Sequence, residues 1–323
     1  MLRIEVGPSD VATSRFAVSP TFELAHLVRT LLGSPPGAPI ARRFAAGTLR
    51  IRHDPVVRTF AWLQGPGAGA SFSAPPPQGM AQTVEDDVTA ILAADPEVVR
   101  AGVDEIRALR RPSPEIASVL EDPRFVERLA DGVARGWEAV LEREWPRVRA
   151  VLERDVRFRA ERLAAAGWSE ALTGMHPRMA WTDGGISLSR IQHATVVPGG
   201  QGLLLVPSVF IGQGLAVYGD APWQPTIVYP SRGAGLVFEE ADAPTDPLAP
   251  LLGRTRAGLL LALQTPSSTS QLAALTGASI GATGDHLKVL LDAGLVSRAR
   301  VARSVVYRRT PLGDALAAAP FIS

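Results

Sequence analysis

The chain has 323 residues, 46% hydrophobic and 20% charged, enough apolar content for sizeable cores and too little charge for wholesale disorder. It contains no cysteine, which excludes disulfides, thiolate metal sites and cysteine nucleophiles. The 33 basic and 32 acidic residues nearly cancel, yet from Leu251 onward eight Arg/Lys face three Asp, a local net of +5 against −4 for the rest, and a basic tail on a weakly acidic body points to nucleic acid.

Residues 1–6 alternate like a short strand, with an acid inside the apolar run and no signal-peptide core. No stretch approaches the ~18 apolar residues of a membrane span, so the expectation is a cytoplasmic chain with no membrane partner. Ser19-Pro20 supplies an N-cap and first-turn proline for a helix through Leu32. Helical patterns recur at Pro39–Leu49, Asp54–Gln64 and Val84–Ala93, and Asp95-Pro96 caps another. Between them, Gly65–Met80 is rich in Gly, Pro and Ser and reads as a mobile loop. From Phe125 to Leu163 apolar residues keep close to the helical period, and Pro146 predicts two helices in series. This long apolar face is the expected dimer contact.

The period changes near His176. Met179–Thr182, Ile186–Ile191, Gly202–Val209, Leu215–Tyr218, Thr226–Tyr229 and Leu236–Phe238 read as a small antiparallel sheet appended to the helical body. Acidic, proline-rich Glu239–Pro250 is the best domain boundary. The predicted class is α+β, with a mainly helical domain at 1–245 and a second domain at 246–323.

That second domain parses consistently. Arg254–Gln264 is a helix; Thr269 or Ser270 caps a short helix through Leu275; Thr276-Gly277-Ala278 is a tight turn; Ser279 caps a second helix that Gly294 stops. Leu295–Ala299 and Ser304–Arg309 pair around a basic tip, Arg300–Arg303, and Thr310-Pro311 opens a last helix. Helix, helix, tight turn, helix, hairpin, helix is the winged helix-turn-helix order, in which the helix after the turn enters the roughly 12 Å major groove.

Two motifs sharpen this. Ser279 followed by His286-Leu287-Lys288-Val289-Leu290-Leu291-Asp292-Ala293-Gly294-Leu295-Val296, and the wing run Ala302-Arg303-Ser304-Val305-Val306-Tyr307-Arg308-Arg309-Thr310, resemble the ArsR-type winged-helix transcriptional regulators over about 70 residues. The body's Arg3-Ile4-Glu5-Val6, Arg15–Pro20 and Tyr229–Gly233 resemble the N-terminal domain of unknown function that accompanies such a module in GC-rich bacteria. The resemblance implies a double-stranded DNA partner and a homodimer, with a repressor's role. Candidate DNA contacts are Ser279, Ile280, Thr283, Asp285, His286, Lys288, Arg300, Arg303 and Tyr307. Ile280 or Thr283 would touch a thymine methyl, Asp285 would accept from cytosine N4, and Lys288 and Arg303 would grip phosphates. His286 reads equally as a helix-surface histidine. Metal-sensing relatives use a cysteine cluster that this chain lacks.

Elsewhere the chemistry is thin. His176, Asp183 and His193 make a weak metal constellation that reads better as structural. No nucleophile elbow, dinucleotide loop in its strand–helix context or zinc-protease motif is present. The expectation is no catalysis, cofactor or metal. Trp137, Trp145, Phe158, Trp168 and Trp181 are candidates to line a pocket for a small-molecule effector; the alternative is a body that dimerises or binds protein without a ligand, its aromatics filling core.

Overall fold

The computed structural model describes residues 2–35, 38–182, 184–189, 194–219, 223–237, 248–301 and 304–318. The chain forms two compact units: residues 1–145 with 159–234, and residues 146–158 with 235–323. Residues 239–247 of the expected linker lie outside the described residues.

The first unit opens with β1 (Leu2–Glu5), α1 (Pro8–Thr13) and β2 (Arg15–Phe16), followed by α2 (Pro20–Gly33), α3 (Pro39–Arg43), α4 (Ala45–Ile51) and α5 (Pro55–Leu63). Then come α6 (Val84–Leu92), α7 (Pro96–Leu109), α8 (Pro114–Leu120) and α9 (Phe125–Val140). The helix starts are set by side-chain caps. Ser19 accepts from Phe22 N at 3.1 Å, Asp54 from Val56 N at 2.8 Å and Asp95 from Glu97 N at 2.7 Å, each with proline next in sequence. Helix α9 packs on α2, α4, α5 and α6. Gly47 permits the α4 approach, because a Cβ there would lie 2.2 Å from the Ala139 carbonyl oxygen.

Phe125, Leu129, Val133, Trp137 and Val140 are all buried within the chain. The apolar face expected to join two copies is therefore spent on this helical core, and that expectation is corrected. The Gly65–Met80 stretch is also corrected from mobile to packed. Ala70, Phe72 and Ala74 are buried, and Gln64 Nε2 donates to Ala70 O at 2.8 Å and to Ser73 Oγ at 2.9 Å.

As Pro146 predicts, α9 ends before a second helix, α10 (Trp145–Leu172), whose backbone leaves helical geometry at Ala166–Gly167. Its later part, from Arg159, belongs to the first unit, where fully buried Arg159 donates to Ala171 O at 3.0 Å and Thr173 O at 2.9 Å.

Six further strands follow: β3 (Met179–Thr182), β4 (Gly185–Leu188), β5 (Ala194–Val196), β6 (Leu204–Ser208), β7 (Ala216–Tyr218) and β8 (Thr226–Pro230). They build two four-stranded mixed sheets, ordered β3-β4-β1-β5 and β2-β6-β8-β7, instead of one antiparallel sheet. β1 pairs parallel with β5, β2 with β6, and β6 with β8. The α+β class stands; the N-terminal strands are inserted between, or beside, strands some 180 residues away. Leu2, Ile4, Ile186, Leu188, Leu205, Ile227 and Tyr229 form the shared core. Expected strand residues Leu236 and Val237 fall in a 3-10 turn instead.

The interior of this unit also buries ionisable groups. Glu23 is fully enclosed, and its carboxyl oxygens accept from Val209 N at 3.1 and 3.0 Å. Burial pushes its pKa up to about 8, outweighing the Ser208 hydroxyl and the Val209 and Phe210 amides that favour the ionised form. His26, with Nδ1 3.2 Å from Ser208 Oγ, is pushed down to about 3 by burial and by the Arg29 charge. Asp87, enclosed by Thr21 and Gln82, is pushed up to about 6 by burial.

A carboxyl whose folded pKa is raised keeps its proton where the unfolded chain has lost it, so its contribution to stability falls as pH rises through that window. Between pH 6.5 and about 8 Glu23 dominates, because Asp87 has lost most of its proton and the unfolded-state titration of His26 near 6.5 adds only a small opposing rise. Urea unfolding should show stability of the first unit dropping by about 2 kcal/mol across that interval. Glu23→Gln should flatten the drop; a slope that survives the substitution removes Glu23 as its cause.

The second unit comprises α11 (Ala249–Leu252), α12 (Arg254–Ala262), β9 (Ser267–Ser268), α13 (Thr269–Thr276), α14 (Ile280–Asp292), β10 (Val296–Val301), β11 (Ser304–Arg309) and α15 (Pro311–Ala318). Leu259, Leu260, Leu263, Leu272, Leu287, Leu290 and Val296 form its core. β10 and β11 make an antiparallel hairpin, and β9 joins β11. Residues 146–158 of α10 complete the unit.

Candidate nucleic-acid interface

Helix α13 begins with a reciprocal cap. Gln271 N donates to Ser268 Oγ at 3.3 Å while Ser268 N donates to Gln271 Oε1 at 2.9 Å. The cap is thus Ser268, one residue before the expected pair, because Ser268 has the Gln three positions on that closes the box. Gly277 takes φ +70° at the end of α13, the left-handed turn for which a glycine is suited. Ser279 then accepts from Ala282 N at 3.2 Å and starts α14.

The burial pattern of α14 defines its outer face. Leu287 and Leu290 are buried, whereas Gly281, Asp285, Lys288 and Asp292 share one exposed side, at helical spacings of four, three and four residues. Ile280 stands 61% exposed in the first turn, and Val289 is 45% exposed. His286 is half-buried and Ser279 exposed. Thr283 is 0% exposed, so it is corrected from a base reader to an interior residue; its hydroxyl has no hydrogen-bond partner among the described residues.

On the wing, the register pairs Arg298 with Tyr307 and Arg300 with Val305, which puts these four on one face of the hairpin. Arg298 and Arg300 are exposed, while Tyr307 is half-buried against the unit's core. Arg308, exposed on the other face, donates to Ser297 Oγ at 3.3 Å, and Arg309 pairs with Asp314 at 3.1 Å at the base of α15. Arg303, expected at the tip, lies outside the described residues.

Sequence reading missed a second set of residues. From α10, Arg157 donates Nη1 to Pro266 O at 2.9 Å and Nη2 to Gln271 Oε1 at 3.1 Å. Glu153 accepts from Gln271 Nε2 at 3.1 Å, and Arg154 donates to Thr265 Oγ1. These bonds fix the turn before α13 and the residue that caps it. The capping-box spacing Ser268-x-x-Gln271 was a visible signal for the cap; nothing local marked residues more than a hundred positions earlier as its support.

The five aromatics proposed for a pocket do not gather. Trp137 and Trp145 make an edge-to-face pair at 5.1 Å, Trp168 stacks on Phe16 at 6.1 Å, Trp181 packs on the sheet core, and Phe158 belongs to the other unit. The shared aromatic pocket is thereby corrected to separate packing contacts. Both ring nitrogens of His176 serve the backbone, Nδ1 accepting from Arg178 N at 3.0 Å and Nε2 lying 3.1 Å from Gln213 O. Asp183 and His193 lie outside the described residues.

A capped two-helix turn, an exposed second helix and an arginine-bearing hairpin define a winged helix-turn-helix module. Residues 254–298 match the family described as bacterial regulatory protein, arsR family, and residues 95–235 match a family of unknown function (DUF5937). The chain therefore carries an ArsR-family regulator domain C-terminal to a domain of that second family, and is a DNA-binding transcriptional regulator. No curated protein and no solved structure matches it. No helix among the described residues is long and apolar enough to cross a membrane.

Two substitutions separate interior from surface roles. Thr283→Val replaces a buried unpaired hydroxyl with a methyl of the same shape and should raise stability by about 1 kcal/mol, leaving DNA affinity unchanged; lost affinity in gel-shift titration would return Thr283 to the reading set. Arg157→Ala should weaken DNA binding about tenfold while keeping the slope of affinity against salt, since a residue that only positions α13 releases no counterions. A slope reduced by about 0.9 would instead make Arg157 a phosphate contact.

Proposed function

We propose that the protein is a homodimeric, sequence-specific repressor, controlled through its N-terminal body, and that it carries out no reaction of its own. The observation that carries this reading is the pairing, in one unit, of the exposed α14 face with the exposed wing arginines Arg298 and Arg300. Ile280 and Asp285 are the base-reading candidates that remain on the surface. Lys288, Arg300 and Arg303 supply phosphate contacts, with Ser279, His286 and Tyr307 beside them. Two copies would meet inverted repeats with reading helices about 34 Å apart. The repressor role follows what the arsR-family resemblance implies. A second reading, a body that serves as a constitutive dimerisation or protein-interaction module, draws support from the dispersal of the five aromatics into packing contacts.

Competition between genomic fragments and scrambled duplex should reveal a preferred site bound by two chains, as read by sedimentation of the complex. Lys288→Ala should weaken binding to specific and scrambled duplex by similar factors and reduce the log–log salt slope by about 0.9 per protomer. Ile280→Ala should instead cost about 1 kcal/mol on the preferred site alone. Equal losses on both duplexes from Ile280→Ala would take α14 out of sequence reading.

A further inference from the structure

Two arginines from different helices converge on the loop after α5. Arg29, on α2, donates Nη1 to Gln64 O at 3.0 Å. Arg110, the residue that ends α7, donates Nη1 to Pro66 O at 3.2 Å and Nη2 to Ala68 O. Both side chains are half-buried, and neither forms an ion pair among the described residues. Elsewhere in this unit half-buried arginines do have acids, as Arg43 has Glu144 at 2.6 Å and Arg162 has Glu170.

The pair is therefore an uncompensated local charge held partly out of water. Burial lowers the Arg110 pKa from its ordinary value, and the Arg29 charge lowers it further, so the two guanidinium groups feel one another. Two guanidinium groups carry ten N–H donors, of which the loop carbonyls take three. Arg110 Nε is buried without a partner among the described residues. The loop itself adds donors: the N–H groups of Gly67, Ala68 and Gly69 make no hydrogen bond among the described residues. Gly67 sits at φ +89°, a conformation that side chains disfavour. Beneath the loop, Gln64 is fixed by Ala70 O, Ser73 Oγ and the Tyr218 hydroxyl, the last donating at 3.1 Å, so the donors are held in place before any ligand arrives.

We propose that Arg29, Arg110 and the Gly67–Gly69 backbone form a binding site for a small-molecule anion that carries a phosphate or carboxylate group. Forked guanidinium donors match the paired oxygens of either group, and loop amides complete the shell. An anion there offsets the local positive charge and accepts from the remaining donors at once. Its role as an effector rests on the reading of the body as the controlling domain; binding itself does not.

The test is thermal unfolding of the full chain without DNA, in chloride and with inorganic phosphate or citrate at matched ionic strength. At a probe concentration ten times the dissociation constant, the midpoint should rise by about 3 °C. Arg29→Gln and Arg110→Gln should each abolish the rise, whereas Lys288→Ala, on the DNA face, should keep it. The probe that acts identifies the group recognised. No saturable rise with either probe up to about 20 mM, or a rise that persists in both Arg→Gln variants, overturns the site. Should Arg110→Gln fail to fold, calorimetric titration of Arg110→Lys decides, since it keeps the charge and loses the fork. Binding at least tenfold weaker supports the site, and unchanged binding overturns it. DNA binding is measured separately, so a failed regulator reading and an empty anion site give different results.

Discussion

The DNA-binding unit is organised around one side-chain amide. Gln271 Oε1 accepts from Ser268 N at 2.9 Å and from Arg157 Nη2 at 3.1 Å, while its Nε2 donates to Glu153 Oε2 at 3.1 Å. An amide offers two lone pairs and two protons, and three of the four are used here. The first bond starts α13, and α13 sets the Gly277 turn, which sets where α14 begins. The other two bonds come from residues 153 and 157, so the start of the helix-turn-helix is defined by a segment that precedes it by more than a hundred residues. The chain leaves that segment at Phe158, builds the sheets and Arg159's contacts in the first unit, and returns at Gly235. A winged helix cut out of the sequence as a contiguous stretch would lack Arg157 and Glu153 and leave both polar groups of Gln271 short of partners.

What could be read in the sequence were the features that depend on near neighbours. Ser19-Pro20, Asp54-Pro55 and Asp95-Pro96 announce helix starts because the cap and the proline act within one turn. Gly277 and Ser279 mark the turn for the same reason. Sheet direction was not legible. β1 and β2 pair with strands near residues 186–205, and whether such a pairing is parallel depends on the path of everything between them. Periodicity likewise revealed that Phe125–Val140 has an apolar face but could not say whether a second copy or the same chain covers it. Thr283 was misread because the family resemblance places it among the base-reading positions, and only the packing of α14 shows which way it points.

The exposed face of α14 is poor in positive charge. It carries Lys288 between Asp285 and Asp292, and its first turn is apolar at Ile280. Carboxylates there oppose phosphates, so most of the electrostatic attraction falls to the hairpin, where Arg298, Arg300 and Arg308 are exposed and Arg309 is held by Asp314. On the proposed reading, attraction and reading are divided between two elements: the wing would contribute affinity that is blind to sequence, and α14 would contribute contacts that discriminate bases mainly through an apolar side chain and a hydrogen-bond acceptor. A single module of this kind has modest affinity, which is a physical reason for a regulator built on it to act as a pair.

The same accounting of charge separates the arginines of the body into two kinds. Arg159 is fully buried, yet its guanidinium is saturated along one edge by the carbonyls that close α10 and lies 5.8 Å from the centre of the Tyr229 ring. It behaves as a helix-end clamp, with the positive charge where the helix dipole is negative. Arg29 and Arg110 also donate to carbonyls, but each spends only one edge and neither has an acid among the described residues; Arg29 neighbours the Tyr218 hydroxyl, which burial keeps protonated, and its charge bears on Arg110. Here two like charges stand together beside loop amides that make no hydrogen bond among the described residues. Bracing the loop carbonyls calls for donors but not for two charges without an acid; the proposed anion, arriving with the opposite charge, would supply the missing partner.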